Sequence, residues 1–184
     1  MGISVKQNLI LEQNYNVENL FLKHFTALSE EESEAVRSWR NHQEVRAFMY
    51  QQHITSKEEH QRFVKGLHNN LEKGYWAVFK ENEGLGVISL TRINIFHSYA
   101  FLGIYVSPQW HHQGVGKQLL SALEFLAFQK IGLHSLRLEV LEENQKAIAF
   151  YERNGFLKEG CLRDFALIHG QFKNIVLMGK IDEN

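Results

Sequence analysis

The sequence has 184 residues, with one cysteine, Cys161, and one proline, Pro108. A single thiol builds neither an internal disulfide framework nor a Cys-based zinc site, and it fits a reducing, cytoplasmic setting. No apolar run approaches the ~20 residues of a membrane helix. An excess of one charge is missing too: 20 Lys and Arg are interleaved with 21 Asp and Glu, for a formal net charge of −1. That balance argues against a broad electrostatic footprint for nucleic acid or an anionic membrane. Met1–Gln13 lacks a positive region leading into an apolar core and a cleavage site, so no signal peptide is expected. Repeats and Pro/Gly/Ser linkers are absent. The expected organisation is a polar leader over 1–16 and one domain over 17–184.

What is present reads as alternating elements. A first strand is expected over Asn19–Phe25. Ser29 with Glu32, and Ser56 with Glu59, have capping-box spacing and open two helices. Between them "EVRAFMYQQHIT" reads as a loop rich in Met, Tyr, Phe and His. "YWAVFK", "GLGVISLTRIN" and "YAFLGIYVS" read as three strands punctuated by Gly84 and Pro108. A largely apolar helix follows to about Ile131, where Gly132 can end it. "SLRLEVL" is a strand, "NQKAIAFYERNGF" a helix capped by Asn144 and stopped at Gly155. Two last strands turn near Gly170. Hairpin-like strands ahead of a βαβ unit imply an α/β (α+β) class: a mixed sheet with helices packed on it.

"HHQGVGKQLL", residues 111–120, carries the first chemistry. His111 and His112 are neighbours and point too differently to share one ion, so no metal is expected. A Gly-x-Gly turn between a strand and a helix can aim backbone N–H groups at a phosphate, where the helix dipole and Lys117 add positive charge. It can equally be a tight turn and no more.

The segment "GIYVSPQWHHQGVGKQLLSALEFLAF", followed by "LRLEVLEENQKAIAFYERNGF", resembles the GCN5-related N-acetyltransferase (GNAT) superfamily. Gly114 and Gly116 match the family's Arg/Gln-x-x-Gly-x-Gly/Ala loop, with His111 at the Arg/Gln position. Asn144, Tyr151, Gly155 and Phe156 match its second block. The resemblance implies the GNAT fold, with helices on both faces of the sheet, and acetyl-CoA as co-substrate. Ile104, Tyr105 and Val106 would lend backbone to the pantetheine arm beside a splay in the sheet. His111, His112, Gln113, Gly114, Val115, Gly116 and Lys117 would hold the pyrophosphate, and Asn144 would bond the arm, cap its helix, or do both. Further blocks, "RNH" at Arg40–His42, "FMY" at Phe48–Tyr50 and "H-x-x-F" at His60–Phe63 among them, narrow the resemblance. They point to a branch that acetylates a UDP-linked 4-amino-dideoxy sugar for pseudaminic acid and flagellin glycosylation.

Candidate roles follow, each with an alternative. Tyr151 would protonate or hydrogen-bond the leaving thiolate, or pack as a core aromatic. Glu139 would act as a base or position the amine, or be an ordinary strand carboxylate. Arg40, Met49, Tyr50, His60 and Phe63 would bind the nucleotide sugar. Alternatively, Met49 and Phe63 are core and Arg40 pairs with its helix dipole. Protein N-terminal or polyamine acetylation, and a non-catalytic acetyl-CoA-binding module, remain alternatives. A monomer or a homodimer is expected.

Overall fold

The structure is a computed structural model, and residues 11–183 are described. Among them eight strands form one sheet in the order β1-β2-β3-β4-β5-β6-β8-β7. They are β1 Tyr15–Val17, β2 Leu20–His24, β3 Gly74–Lys80, β4 Glu83–Asn94, β5 Tyr99–Val106, β6 Ser135–Leu141, β7 Leu157–Ile168 and β8 Gln171–Ile181. The helices are α1 Glu30–Asn41, α2 Gln43–Arg46, α3 Lys57–Lys65, α4 Val115–Glu124 and α5 Gln145–Arg153.

Both expected capping boxes form. The Ser29 and Ser56 side chains accept from the amides of Glu32 and Glu59, whose carboxylates accept in return from the Ser29 and Ser56 amides. Such a cap is worth about 1 kcal/mol. Past α4 the chain does not stay α-helical as expected. It winds as a π-helix over Phe125–Ile131 before Gly132, at φ 78°, ends it.

Strand alternation sorts side chains to two faces. Trp76, Val78, Ile88 and Leu90 face the larger core with Leu119, Leu123 and Ile148 of α4 and α5. Ala77 and Val87 face a smaller core with Val36 of α1 and Leu67, just past α3. Helices therefore cover both faces, as the fold class requires. Leu119 and Leu123 are fully buried, and truncating either to Ala costs about 2–5 kcal/mol.

The expected leader falls partly outside the described residues. Its described part does not hang free. Leu11 is buried in the larger core, the Gln13 carbonyl accepts from Trp76 Nε1 at 2.8 Å, and Tyr15–Val17 pairs with β2.

One pairing positions the site. All neighbouring strands are antiparallel except β5 and β6, which run parallel and pair only at Tyr99–Ser135, Ala100–Leu136 and Phe101–Arg137. Beyond that point β5 follows β4 and β6 follows β8, so the sheet parts. The Ser107 amide donates to the Leu85 carbonyl at 2.8 Å. In an antiparallel ladder hydrogen-bonded pairs alternate, so Tyr105 also bonds toward β4. Ile104 and Val106 then turn their N–H and C=O groups into the parting.

Candidate active site

A cleft of about 1720 Å³ opens where the strands part, lined from β5, β6, α5 and the segment after α1. Its first wall is the turn from β5 into α4. His112 at φ 62° and Gly114 at φ 77° are both left-handed, and Gly114 caps α4 without any side-chain hydrogen bond. No hydrogen bond engages the amides of residues 112–116 among the described residues. A run of free N–H groups at a helix start is a cradle for an anion. A Cβ at Gly114 would meet no atom within 4 Å, whereas one at Gly116 would touch the Phe150 ring and Val106.

Val115 is buried in the core and can offer only its amide. Gln113 donates to the Gln109 carbonyl at 2.9 Å. Lys117 is exposed. Of this stretch, His111, His112 and Gly116 line the cleft. The His111 ring is committed elsewhere, between Glu44 Oε2 at 2.7 Å and the Val106 carbonyl at 3.0 Å.

Tyr151 lies on α5 and Asn144 caps it, seven residues apart, and both line the cleft. Asn144 Oδ1 accepts from the Ala147 amide at 3.2 Å, so it does cap the helix. Tyr151 packs against Phe150 and Phe156, with ring centroids at 5.2 and 5.5 Å. Burial pushes its hydroxyl well above the ordinary phenol value, so it stays neutral and able to donate a hydrogen bond throughout the neutral range.

On the opposite arm, Glu139 of β6 lines the cleft. It accepts from Arg92 Nη1 at 2.7 Å and from the Tyr50 hydroxyl at 2.8 Å. Burial raises its pKa, but these hydrogen bonds and the Arg92 charge outweigh it, and the carboxyl lies below its ordinary value. Arg92 reaches it from a bulge in β4, at φ 48°, and stacks over Phe101 at 4.0 Å. Nothing local in the sequence marks this residue.

The remaining wall joins Phe25, His60, Phe63 and Tyr75 to Phe48, Met49, Tyr105 and Arg40. Phe63 meets Tyr75 edge-on at 4.9 Å. His60 is buried, with Nε2 against Ser33 Oγ at 3.1 Å, and burial lowers its pKa. It ties α3 to α1. Arg40 Nη2 donates to the Gln51 carbonyl at 2.6 Å. Its Nη1 is buried with no partner among the described residues. Tyr50 is not a lining residue and meets the site through Glu139. Phe48, half exposed beside Met49, opens the "FMY" block but is not among the residues the sequence assigns to substrate. Among the described residues no group of three or more His, Cys, Asp or Glu could hold a metal.

A mixed sheet parted at its one parallel pair, with an amide cradle at the mouth, defines an acyl-CoA-dependent acyltransferase architecture. A profile of the Acetyltransferase (GNAT) family matches residues 25–156; the chain belongs to that family and is an acetyl-CoA-dependent N-acetyltransferase. It is 36% identical over 135 residues to acetyltransferase PseH of Campylobacter jejuni, covering 73% of this chain and 83% of that protein. The crystal structure of C. jejuni PseH superposes with a TM-score of 0.69 at 25% identity, over 90% of this chain and 99% of that one. Spermidine N(1)-acetyltransferase of Vibrio cholerae is 25% identical over 144 residues, 78% of this chain and 83% of that protein. Its structure with CoA and spermine has a TM-score of 0.79 at 24% identity, over 90% of this chain and 96% of that one.

Proposed function

We propose that this enzyme transfers acetyl from acetyl-CoA to the 4-amino group of a UDP-linked amino-dideoxy sugar, in pseudaminic acid synthesis for flagellin glycosylation. One observation carries the choice of acceptor. Four carboxylates line the cleft, and each is already engaged: Glu44 by His111, Glu139 by Arg92, Glu143 by Lys173, and Glu59 by the Ser56 amide. Glu139 and Glu143 are thereby neutralised by fixed positive charges, so a polycation finds fewer free carboxylates than the lining alone suggests. Aromatic rings and the unpaired Arg40 Nη1 instead suit a flat base and a phosphate or sugar oxygen.

Acetyl-CoA supplies an acetyl group activated as a thioester. The free amides of residues 112–116 fit its diphosphate, and the inward-turned amides of Ile104 and Val106 fit its pantetheine arm and carbonyl. Donors aimed at the carbonyl oxygen stabilise the charge that develops there. Tyr151 donates a hydrogen bond to the departing sulfur. An ordinary phenol already lies ~1.5 pKa units above a thiol, about 2 kcal/mol, and burial widens that gap. Its role is therefore hydrogen bonding, not full proton transfer. Glu139, held ionised by Arg92, orients the acceptor amine and is a weak base at neutral pH.

Spermidine is a second reading, because spermidine N(1)-acetyltransferase of V. cholerae shares 25% identity over 78% of this chain. CoA release measured with a UDP-linked 4-amino sugar, spermidine and a peptide amine separates the readings. The nucleotide sugar is expected to give the highest kcat/KM; faster turnover of spermidine or peptide overturns the proposal.

A further inference from the structure

His111 stands where the family's loop carries Arg or Gln, and its ring hydrogen-bonds to Glu44 and to the Val106 carbonyl. It sits on the mouth of the parting and bridges two elements. One nitrogen, Nε2, meets the Val106 carbonyl at 3.0 Å, the other, Nδ1, meets Glu44 Oε2 on α2 at 2.7 Å. Each ring nitrogen lies within hydrogen-bond distance of an acceptor oxygen, so the ring bridges the two elements. The other titratable groups around it are His42 and His112, with ring centroids at 6.2 and 6.1 Å. The side chain is 19% exposed and Glu44 62%.

The segment from α2 to Tyr50 is thus tied at both ends across the parted strands. Glu44 is fastened through His111 to the end of β5, and Tyr50 is fastened through Glu139 to β6. Phe48 and Met49 lie between these ties and line the acceptor wall.

We propose that His111 is a positioning residue for the acceptor: it clips α2 to the end of β5 and so sets how Phe48 and Met49 stand over the cleft. The amine acceptor senses that clip; the diphosphate, held by backbone, does not.

The test is a split in Michaelis constants. It rests on the acceptor wall assigned above, and it uses whichever amine the wild-type enzyme turns over, so rejection of the nucleotide sugar leaves it standing. The Glu44 end of the clip is exposed and screened by solvent, so the expected effect is about two- to fivefold. His111→Ala and Glu44→Ala should each raise the acceptor KM by about that factor and leave the acetyl-CoA KM unchanged. The double variant should be no worse than either single one. Glu44 is exposed, so its variant tests the clip even where His111→Ala folds poorly. A rise in acetyl-CoA KM, or an acceptor KM unmoved by Glu44→Ala, overturns the proposal.

Discussion

Burial holds the Tyr151 phenol neutral because its ionised form would stand among Phe150, Phe156 and the aliphatic core. Tyr151→Phe keeps that packing and removes only the hydroxyl. It should lower kcat by ~10²–10⁴-fold with an unchanged circular dichroism spectrum; an unchanged kcat would remove Tyr151 from the chemistry. Glu139 offers a pH readout. In Arg92→Met the charge and hydrogen bond vanish, burial dominates, and the carboxyl pKa rises. The acidic limb of kcat/KM against pH should then move up toward neutral; a fixed limb means Glu139 ionisation does not set it. His24 bears on stability. It is fully buried and edge-on to Trp76 at 5.5 Å, and burial lowers its pKa to about 4, only partly opposed by Glu12. The unfolded value is ~6.5. Between those pH values the unfolded chain takes up a proton that the folded one refuses. Stability present above pH ~6.5 should therefore fall as pH drops toward 4, by up to about 3 kcal/mol. Urea midpoints across that range test this, and His24→Gln should flatten the slope.

At the scale of elements, the legible features were those written in a few consecutive residues. Ser29 with Glu32 and Ser56 with Glu59 place two helix starts because a cap needs only four residues. Asn144 and Tyr151 share one helix, so their common side follows from helical pitch. Features set by distant partners were not legible. β1 has three residues and exists because β2 pairs with it. Arg92 reaches Glu139 across 47 positions from a bulge that no local pattern announces. His111 meets Glu44 across 67, a partner no local pattern names. The turn into α4 gives a prediction at this scale. Gly114→Val forces a β-branched residue into a left-handed conformation, costing about 1–2 kcal/mol. No protein atom lies near its Cβ, so the harm falls on the amides it turns. The acetyl-CoA KM should rise while the acceptor KM stays; the reverse pattern would mean the turn serves another ligand.

Across the whole molecule, the mixed sheet followed from hairpin-like spacing and one helical crossover, but not the insertion of β8 between β6 and β7. The point where the strands separate came only with the family resemblance, because register between β5 and β6 depends on how α4 returns the chain. That junction also predicts exchange behaviour. Amides of Ile104, Val106 and residues 112–116 should exchange rapidly in the free enzyme and slow on adding acetyl-CoA, as read by hydrogen–deuterium exchange; unchanged rates would place the cofactor elsewhere. Three residue pairs stitch the middle of the sheet, so a bound pantetheine arm would supply the missing rungs below the stitch. Coenzyme A should accordingly stiffen Tyr99–Phe101 and Ser135–Arg137 more than adenosine bisphosphate does at equal saturation, since the fragment carries phosphates but no rungs.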